Sequence, residues 1–378
     1  MTTTPEGPAP PLPGDGVEID FTGRRAPLMW LLLKNSLLTV LTIGVYRFWA
    51  KTRIRRYFWN HVRIQGDALE YTGLPSELFI GFLIAIAVLV PVGSVYGTFD
   101  ALLGPADAGP RTVLVFTNLI VLLTLFQVAF YRMWRYRLTR TAWRGIRFGL
   151  DGSTWHYLWL SAGWLVLVAL TLGLAYPWMQ VALWRYRVRH TRFGATYFGF
   201  AGDAMPLLLP WLVVYAIPAA LLALAAVSGP EPAVAAAIAT PFAYLWYRIR
   251  QGRYLIGHTR LGRGRFESKL AVAPLLLAFL AVGACLGALF AAMAMPIVAA
   301  AAGESRDEAA FLVIFFIIGF IVLLPVITGA ILRFELLRQL CLTTVLDDPD
   351  ALEHAIQSAK DAPRYGEGLA DAFDVGAI

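Results

Sequence analysis

Charge is scarce in this chain of 378 residues: only 15% are Asp, Glu, Lys or Arg, against roughly a quarter in a soluble domain. Cysteine is scarcer still. Cys285 lies within an apolar run and Cys341 just past the last one, which excludes a disulfide framework and offers no zinc-ligand spacing. The phosphate-binding string Gly-x4-Gly-Lys-Ser/Thr, the nucleophile elbow Gly-x-Ser-x-Gly and the zinc motif His-Glu-x2-His are all missing. No carboxylate pair sits inside the clear apolar runs, so the usual mark of proton coupling is missing too. The expectation is a protein that is no enzyme, with no catalytic residue, no cofactor and no metal.

What the chain has instead is apolar length. Hydrophobic residues make up 58% and the mean hydropathy is +0.63. Runs of about 20 apolar residues can cross a bilayer. The candidates are Phe79 to Tyr96, Val113 to Phe130, Leu207 to Val227, Leu270 to Met295 and Phe311 to Leu332, with Val234 to Leu245 as a shorter sixth. Residues 1–16 are rich in Pro, Gly and Thr, without the basic start and apolar core of a signal peptide, and read as a solvated, disordered tail.

The apolar segments are punctuated by a recurring basic–aromatic cluster. It appears as Arg56, Tyr57, His61, Arg63, again as Arg185, Tyr186, His190, Arg192, and again as Arg253, Tyr254, His258, Arg260. A degenerate copy reads Arg137, Leu138, Ala142, Arg144. Loops rich in Lys and Arg stay on the cytoplasmic side, so these seams share that face, and both termini are expected there. The intervening loops are poor in positive charge: residues 97–111 carry Asp100 and Asp107 against Arg111, and residues 228–233 carry Glu231.

Sidedness then forces a conclusion about two segments. Residues 24–51 and 154–184 each join two cytoplasmic points, yet neither holds two full spans. Each should be a short re-entrant helical hairpin, turning at Leu41-Thr42-Ile43-Gly44 or at Leu170-Thr171-Leu172-Gly173. Such a turn must be covered by protein, because lipid offers no hydrogen bonds. The two segments are copies: at an offset of 129 residues, Gly23, Trp30, Thr42, Gly44, Trp49, Arg56, His61 and Gly73 match Gly152, Trp159, Thr171, Gly173, Trp178, Arg185, His190 and Gly202. The expected fold is therefore an all-α polytopic membrane protein of duplicated units, each a short re-entrant hairpin plus a long transmembrane hairpin. Small strand elements should lie on the cytoplasmic face, around Val17 to Gly23, Val62 to Gly73, Thr191 to Gly202 and Arg265 to Ser268. The expected divisions are a tail at 1–16, a first repeat at 17–147, a second at 148–265, a partial third at 266–345 and an acidic cytoplasmic tail at 346–378.

The Leu-Thr-x-Gly-x-Tyr-x-Phe-Trp-Ala-Lys-Thr-Arg run from Leu41 to Arg53, the Tyr71-Thr72-Gly73 step and the terminal stretch from Gly366 to Gly376 together resemble the YjgN-like family of bacterial inner-membrane proteins. The resemblance covers nearly the whole chain. It implies a multi-pass protein of the bacterial inner membrane, and brings no established activity, substrate or site residues.

Two readings of the seams follow from their chemistry. In one they anchor helix ends at the headgroup level, with Tyr and Trp at the interface and Arg snorkelling to phosphates. In the other the three Arg-His clusters converge on one pocket for an anionic ligand or lipid headgroup. Phospholipid, and not nucleic acid, is the expected partner, with a second copy or another membrane protein as a further candidate. The trio His61, His190 and His258 is no metal site by this reading, because each is followed two residues later by an arginine that repels a cation. His156 reads as an ordinary surface residue. An alternative function, a permease for a small solute, would place its pathway between the two short hairpins, lined by Asn35, Thr42, Thr171 and Gln180. From Leu346 to Ile378 eight acids face two bases, a net of −6, which leaves +13 for the rest of a chain whose total is +7. That opposition suggests the tail folds back on the basic seams, with Leu369, Ala372, Phe373 and Ile378 as its docking stripe.

Overall fold

The computed structural model describes residues 16–103, 107–301 and 306–348, together with Leu352. One pattern organises it: a pair of helices followed by a pair of strands. After β1 (Val17–Phe21) come α1 (Arg25–Leu41) and α2 (Arg47–His61), then β2 (Val62–Ile64), β3 (Asp67–Ala68) and β4 (Glu70–Tyr71). Next are α3 (Pro75–Leu102) and α4 (Ala108–Thr139), then β5 (Thr141–Trp143) and β6 (Ile146–Leu150). The third pair is α5 (Thr154–Leu170) and α6 (Tyr176–His190), leading to β7 (Thr191–Phe193) and β8 (Thr196–Phe200). The fourth is α7 (Met205–Ser228) and α8 (Glu231–Gly257), leading to β9 (Thr259–Leu261) and β10 (Gly264–Ser268). In the fifth, α9 (Val272–Ala301) is followed by α10 (Arg306–Ile327), which runs through a π-helical turn, Thr328–Arg333, into α11 (Phe334–Thr343) and then β11 (Thr344–Leu346).

All eleven strands form one antiparallel sheet. The all-helical expectation is therefore corrected: the strand elements are no minor layer but a ring on which every helix pair stands. The edge strands of the sheet order are β3 and β4, separated in the chain by Leu69 alone, so the two edges meet and the sheet curls into a near-barrel. The first strand pairs with the last, Val17 opposite Leu346, and supplies the hairpin that the fifth helix pair would otherwise lack. Closure of this kind removes the unpaired backbone edge of an open sheet. The hairpin turns are two residues long, and their glycines are required. Gln65-Gly66 and Arg144-Gly145 hold positive φ at both positions (51 and 82°, 49 and 75°), while Gly194 and Gly262 hold it at the first, the two patterns that match strand twist. Alternation along each strand sends one set of side chains inward, where Val17, Trp143, Phe193, Leu261 and Leu346 fill the barrel together with Leu352.

The short hairpins owe their turns to one string. Thr42 donates its hydroxyl to the Leu38 carbonyl (2.8 Å) and accepts from the Tyr46 amide (2.9 Å); Thr171 does the same with Leu167 (2.8 Å) and Ala175 (3.1 Å). A single hydroxyl thus closes one helix and opens the next. The left-handed residues that follow, Ile43-Gly44 and Leu172-Gly173, have φ of 49 and 85° and of 49 and 90°. α1 and α5 have 17 residues each and rise about 25 Å, short of a hydrocarbon core of about 30 Å.

Among the described residues, five helical segments are long and apolar enough to cross a membrane: Pro75–Leu102, Ala108–Thr139, Met205–Ser228, Val272–Ala292 and Leu312–Thr343. The sixth candidate, residues 234–245, forms the first half of α8, whose second half carries Arg248, Arg250 and Arg253. The helices follow one another around a ring, each packed on its neighbour in sequence, and α10 packs on α1 to close it. Of the acidic tail, Asp347 accepts a hydrogen bond from the Arg265 amide and Leu352 enters the barrel; the proposed docking stripe at 369–378 lies outside the described residues, as do residues 1–15.

Candidate functional site

The seams lie where α2, α6 and α8 run into β2, β7 and β9. Each histidine ends its helix and turns Nδ1 onto the carbonyl one turn back: His61 to Tyr57 (2.6 Å), His190 to Tyr186 (2.7 Å), His258 to Tyr254 (2.8 Å). A carbonyl only accepts, so Nδ1 carries the proton and Nε2 is turned away from the helix. The tyrosine ring lies 4.1–4.3 Å from the imidazole in all three.

The tyrosine hydroxyl clasps the helix pair at its base. Tyr57 donates to the Arg24 carbonyl (2.6 Å) and accepts from the Arg24 amide (3.0 Å). Tyr186 donates to the Ser153 carbonyl (2.9 Å), and Tyr254 accepts from the Asp203 amide (3.0 Å). Burial pushes the Tyr186 phenol above its usual pKa, which keeps it a donor. The first arginine reaches forward to the segment that starts the next pair: Arg56 to the Gly73 carbonyl (3.2 Å), Arg185 to the Gly202 carbonyl (2.9 Å). Arg253 is exposed.

The last arginine of each cluster sits mid-strand. Arg63 lies between Val62 and Ile64, Arg192 between Thr191 and Phe193, Arg260 between Thr259 and Leu261. Those neighbours face the barrel axis, so alternation aims all three arginines outward. Arg192 is held by Asp151 (3.1 Å) and the Gly194 carbonyl (3.0 Å); Arg63 and Arg260 are exposed. The expected convergence on a shared pocket is thereby corrected: the three clusters occupy separate places on the outside of the ring, and their histidines do not come together. Strand register also corrects the degenerate copy. β5 begins at Thr141 as β7 begins at Thr191 and β9 at Thr259, so the counterparts of Arg, Tyr and His are Arg135, Tyr136 and Arg140. Arg140 uses the histidine position to pair with Glu77, which also accepts from the Tyr136 hydroxyl (2.9 Å).

A cleft lies at the α6 seam. It measures about 560 Å³ and is lined by Asp151, Ser153, His156, Arg185, Arg189 and His190 among others. Ser153 caps α5 by accepting from the His156 amide (3.4 Å), so the positive end of that helix dipole opens into the cavity. His156 stacks on Tyr186 at 5.2 Å. Asp151, the one acid on its lining, is engaged by Arg192 and by the Tyr197 hydroxyl (2.8 Å). Arg185, exposed Arg189 and a helix N-terminus make an anion-binding environment. Sequence reasoning missed His156 and Arg189. The signal for Arg189 was present in the Arg185, Arg189 spacing of one helical turn, whereas His156 joins only through the fold.

Other expected site residues are dispersed. Asn35 is 1% exposed and its amide atoms have no hydrogen-bond partner. Thr42 and Thr171 are tied up at the two hairpin tips, and Gln180 is half-buried on α6. Sequence also gave no sign of Arg187, buried on α6 with its guanidinium over Phe130, Trp134 and Trp184 at 4.9, 5.8 and 5.3 Å.

A strand ring that nearly closes and carries five helix pairs, with five described helical segments long and apolar enough for a bilayer and with arginine and tyrosine near the ends of α2, α4, α6 and α8, defines a polytopic membrane protein. Residues 17–240 match the DUF898 family, bacterial proteins of unknown function, and the chain belongs to that family. Inner membrane protein YjgN of Escherichia coli (strain K12) is 25% identical over 155 residues, 41% of this chain and 36% of that protein. Its namesake from Salmonella typhimurium is 26% identical over 157 residues, 41% and 37%. The matched stretch thus spans little more than a third of these curated relatives. No solved structure matches.

Proposed function

We propose that this chain is a non-enzymatic component of the bacterial inner membrane whose basic–aromatic belt faces the cytoplasm and binds anionic phospholipid headgroups. The observation that carries this reading is the α6-seam cavity, where Arg185, Arg189 and the α5 N-terminus face one space of headgroup size. Placement supports it: the seams lie on the outside of the strand ring, where α2, α6 and α8 run into the sheet from which the membrane-length helices also rise, the level at which phosphates lie on this reading. Charge asymmetry supports the cytoplasmic orientation, and with it cytoplasmic β1 and β11, because the sheet side is rich in arginine while the far loop between α3 and α4 balances Arg111 with Asp100 (3.1 Å). The permease alternative draws less support, since apolar side chains fill the barrel and the Thr42 and Thr171 hydroxyls are spent on their own helices.

The test is retention of phosphatidylglycerol by the purified protein, measured by mass spectrometry after delipidation and rebinding. Arg185→Ala with Arg189→Ala should weaken binding at least about tenfold, the loss of one charge-assisted hydrogen bond, while phosphatidylcholine binding stays level. Equal retention by wild type and variant would refute the assignment.

A further inference from the structure

A second cavity lies on the axis, where the helix ring meets the strand ring. It measures about 370 Å³, and its walls come from α2, α6, α8 and α11 through Trp59, Trp184, Ile256 and Leu337, its floor from Phe198 and Phe266 of the sheet. No polar atom on its lining reaches the space: Thr259 donates to the Leu255 carbonyl (2.8 Å), and the Thr344 hydroxyl and the Trp184 indole nitrogen are buried without a hydrogen-bond partner. Water needs two to four polar partners to occupy a protein cavity, so this one excludes it. An apolar hollow of that size left empty forfeits dispersion contacts along its walls.

The surroundings say what fills it. The ring of helices above the cavity stands in hydrocarbon, and two of its five pairs, α1–α2 and α5–α6, are too short to screen the axis across the full bilayer. Chains of lipid are the apolar molecules at highest concentration there. At roughly 30 Å³ for each water-sized group, the space accommodates on the order of a dozen methylenes. We propose that the axial cavity binds one acyl chain of a membrane phospholipid, inserted end-on from the bilayer. This goes beyond the headgroup reading and does not rest on it, because the axial and seam cavities share no residue.

The experiment is photo-crosslinking in nanodiscs followed by peptide mapping. Three probes carry the same diazirine chain: a phosphatidylcholine, a phosphatidylglycerol and a free fatty acid. Both phospholipids should label the α11 segment around Leu337 and Cys341, beside labelling of Leu277 and Leu280 on the exposed face of α9 as internal reference. Leu337→Trp fills the cavity and should cut α11 labelling at least fivefold with the α9 reference unchanged; Cys341→Phe serves if the first variant misfolds. Labelling of α9 without α11 in wild type overturns the proposal, and so does labelling by the fatty acid alone. Labelling of α11 by phosphatidylglycerol only would also overturn it, by showing that headgroup and not chain decides. Loss of phosphatidylglycerol retention in the Arg185, Arg189 variant with α11 labelling intact would separate the two sites.

Discussion

Gly44 and Gly173 occupy the same turn in the two short hairpins, with φ of 85 and 90°, and differ in one respect. A Cβ on Gly44 would meet nothing within 4 Å, whereas one on Gly173 would collide with the Tyr215 hydroxyl. Substituting alanine therefore separates backbone strain from steric conflict. Left-handed backbone costs an L-residue about 1–2 kcal/mol, and Gly44→Ala should lose that and little more. Gly173→Ala loses the same amount and must also displace Tyr215, breaking its bond to the Leu172 carbonyl. Leaving that carbonyl unpaired adds about 1–3 kcal/mol, for a total of about 2–5. Tyr215→Phe removes the colliding oxygen, so the double variant Gly173→Ala, Tyr215→Phe should be no worse than the sum of alanine strain and one lost hydrogen bond. Thermal unfolding can be followed by thiol reactivity of buried Cys341 in a Cys285→Ser background. If Gly173→Ala melts with Gly44→Ala, or if Tyr215→Phe adds a further loss to Gly173→Ala, the proposed role of Tyr215 as cover for the turn is wrong.

Arg140→Gln should destabilise by about 2–3 kcal/mol, because the half-buried Glu77 carboxylate loses its cation, and adding Glu77→Gln should recover part of that in the same melting assay. Cysteines placed at 156 and at 107 in a cysteine-free chain should react with an impermeant maleimide from opposite sides of the membrane, 156 from the cytoplasm and 107 from the periplasm; reaction from one side refutes the crossing by α3.

What could be read from the chain was what one helix can display. The Leu-Thr-x-Gly strings name their turns because Thr42 and Thr171 act within five residues, and the Arg-Tyr-x3-His spacing falls on one helix face. The sheet was much less legible. Its strands are two to five residues long, too short for alternation to stand out, and each is defined by partners in the neighbouring hairpin. The degenerate copy was misaligned by two residues because sequence matching favoured an arginine at 144, and only the strand start at Thr141 fixes the register. The convergence expected of the arginines failed for a related reason: a helix wheel says which residues share a face, and closure of the strand ring decides that the face is the outer one.

The strand ring bears on sidedness more directly than charge does. Every helix pair leaves the sheet and returns to it, since β1 through β11 belong to one continuous set of pairings. A pair of helices between two strands of that set makes either two crossings or none. The short pairs, whose helices rise about 25 Å, can then dip into the bilayer without altering where any seam lies, and the long pairs must cross twice. Parity thus places all the seams on one face irrespective of their arginines, and the arginines serve only to say which face it is. A variant in which the seam arginines are neutralised should accordingly invert as a whole or not at all: cysteines at 156 and at 260 should always label from the same side. Labelling of these two from opposite sides would mean that β6 through β9 are not one run of neighbours in the membrane-embedded protein, and the single ring would be wrong.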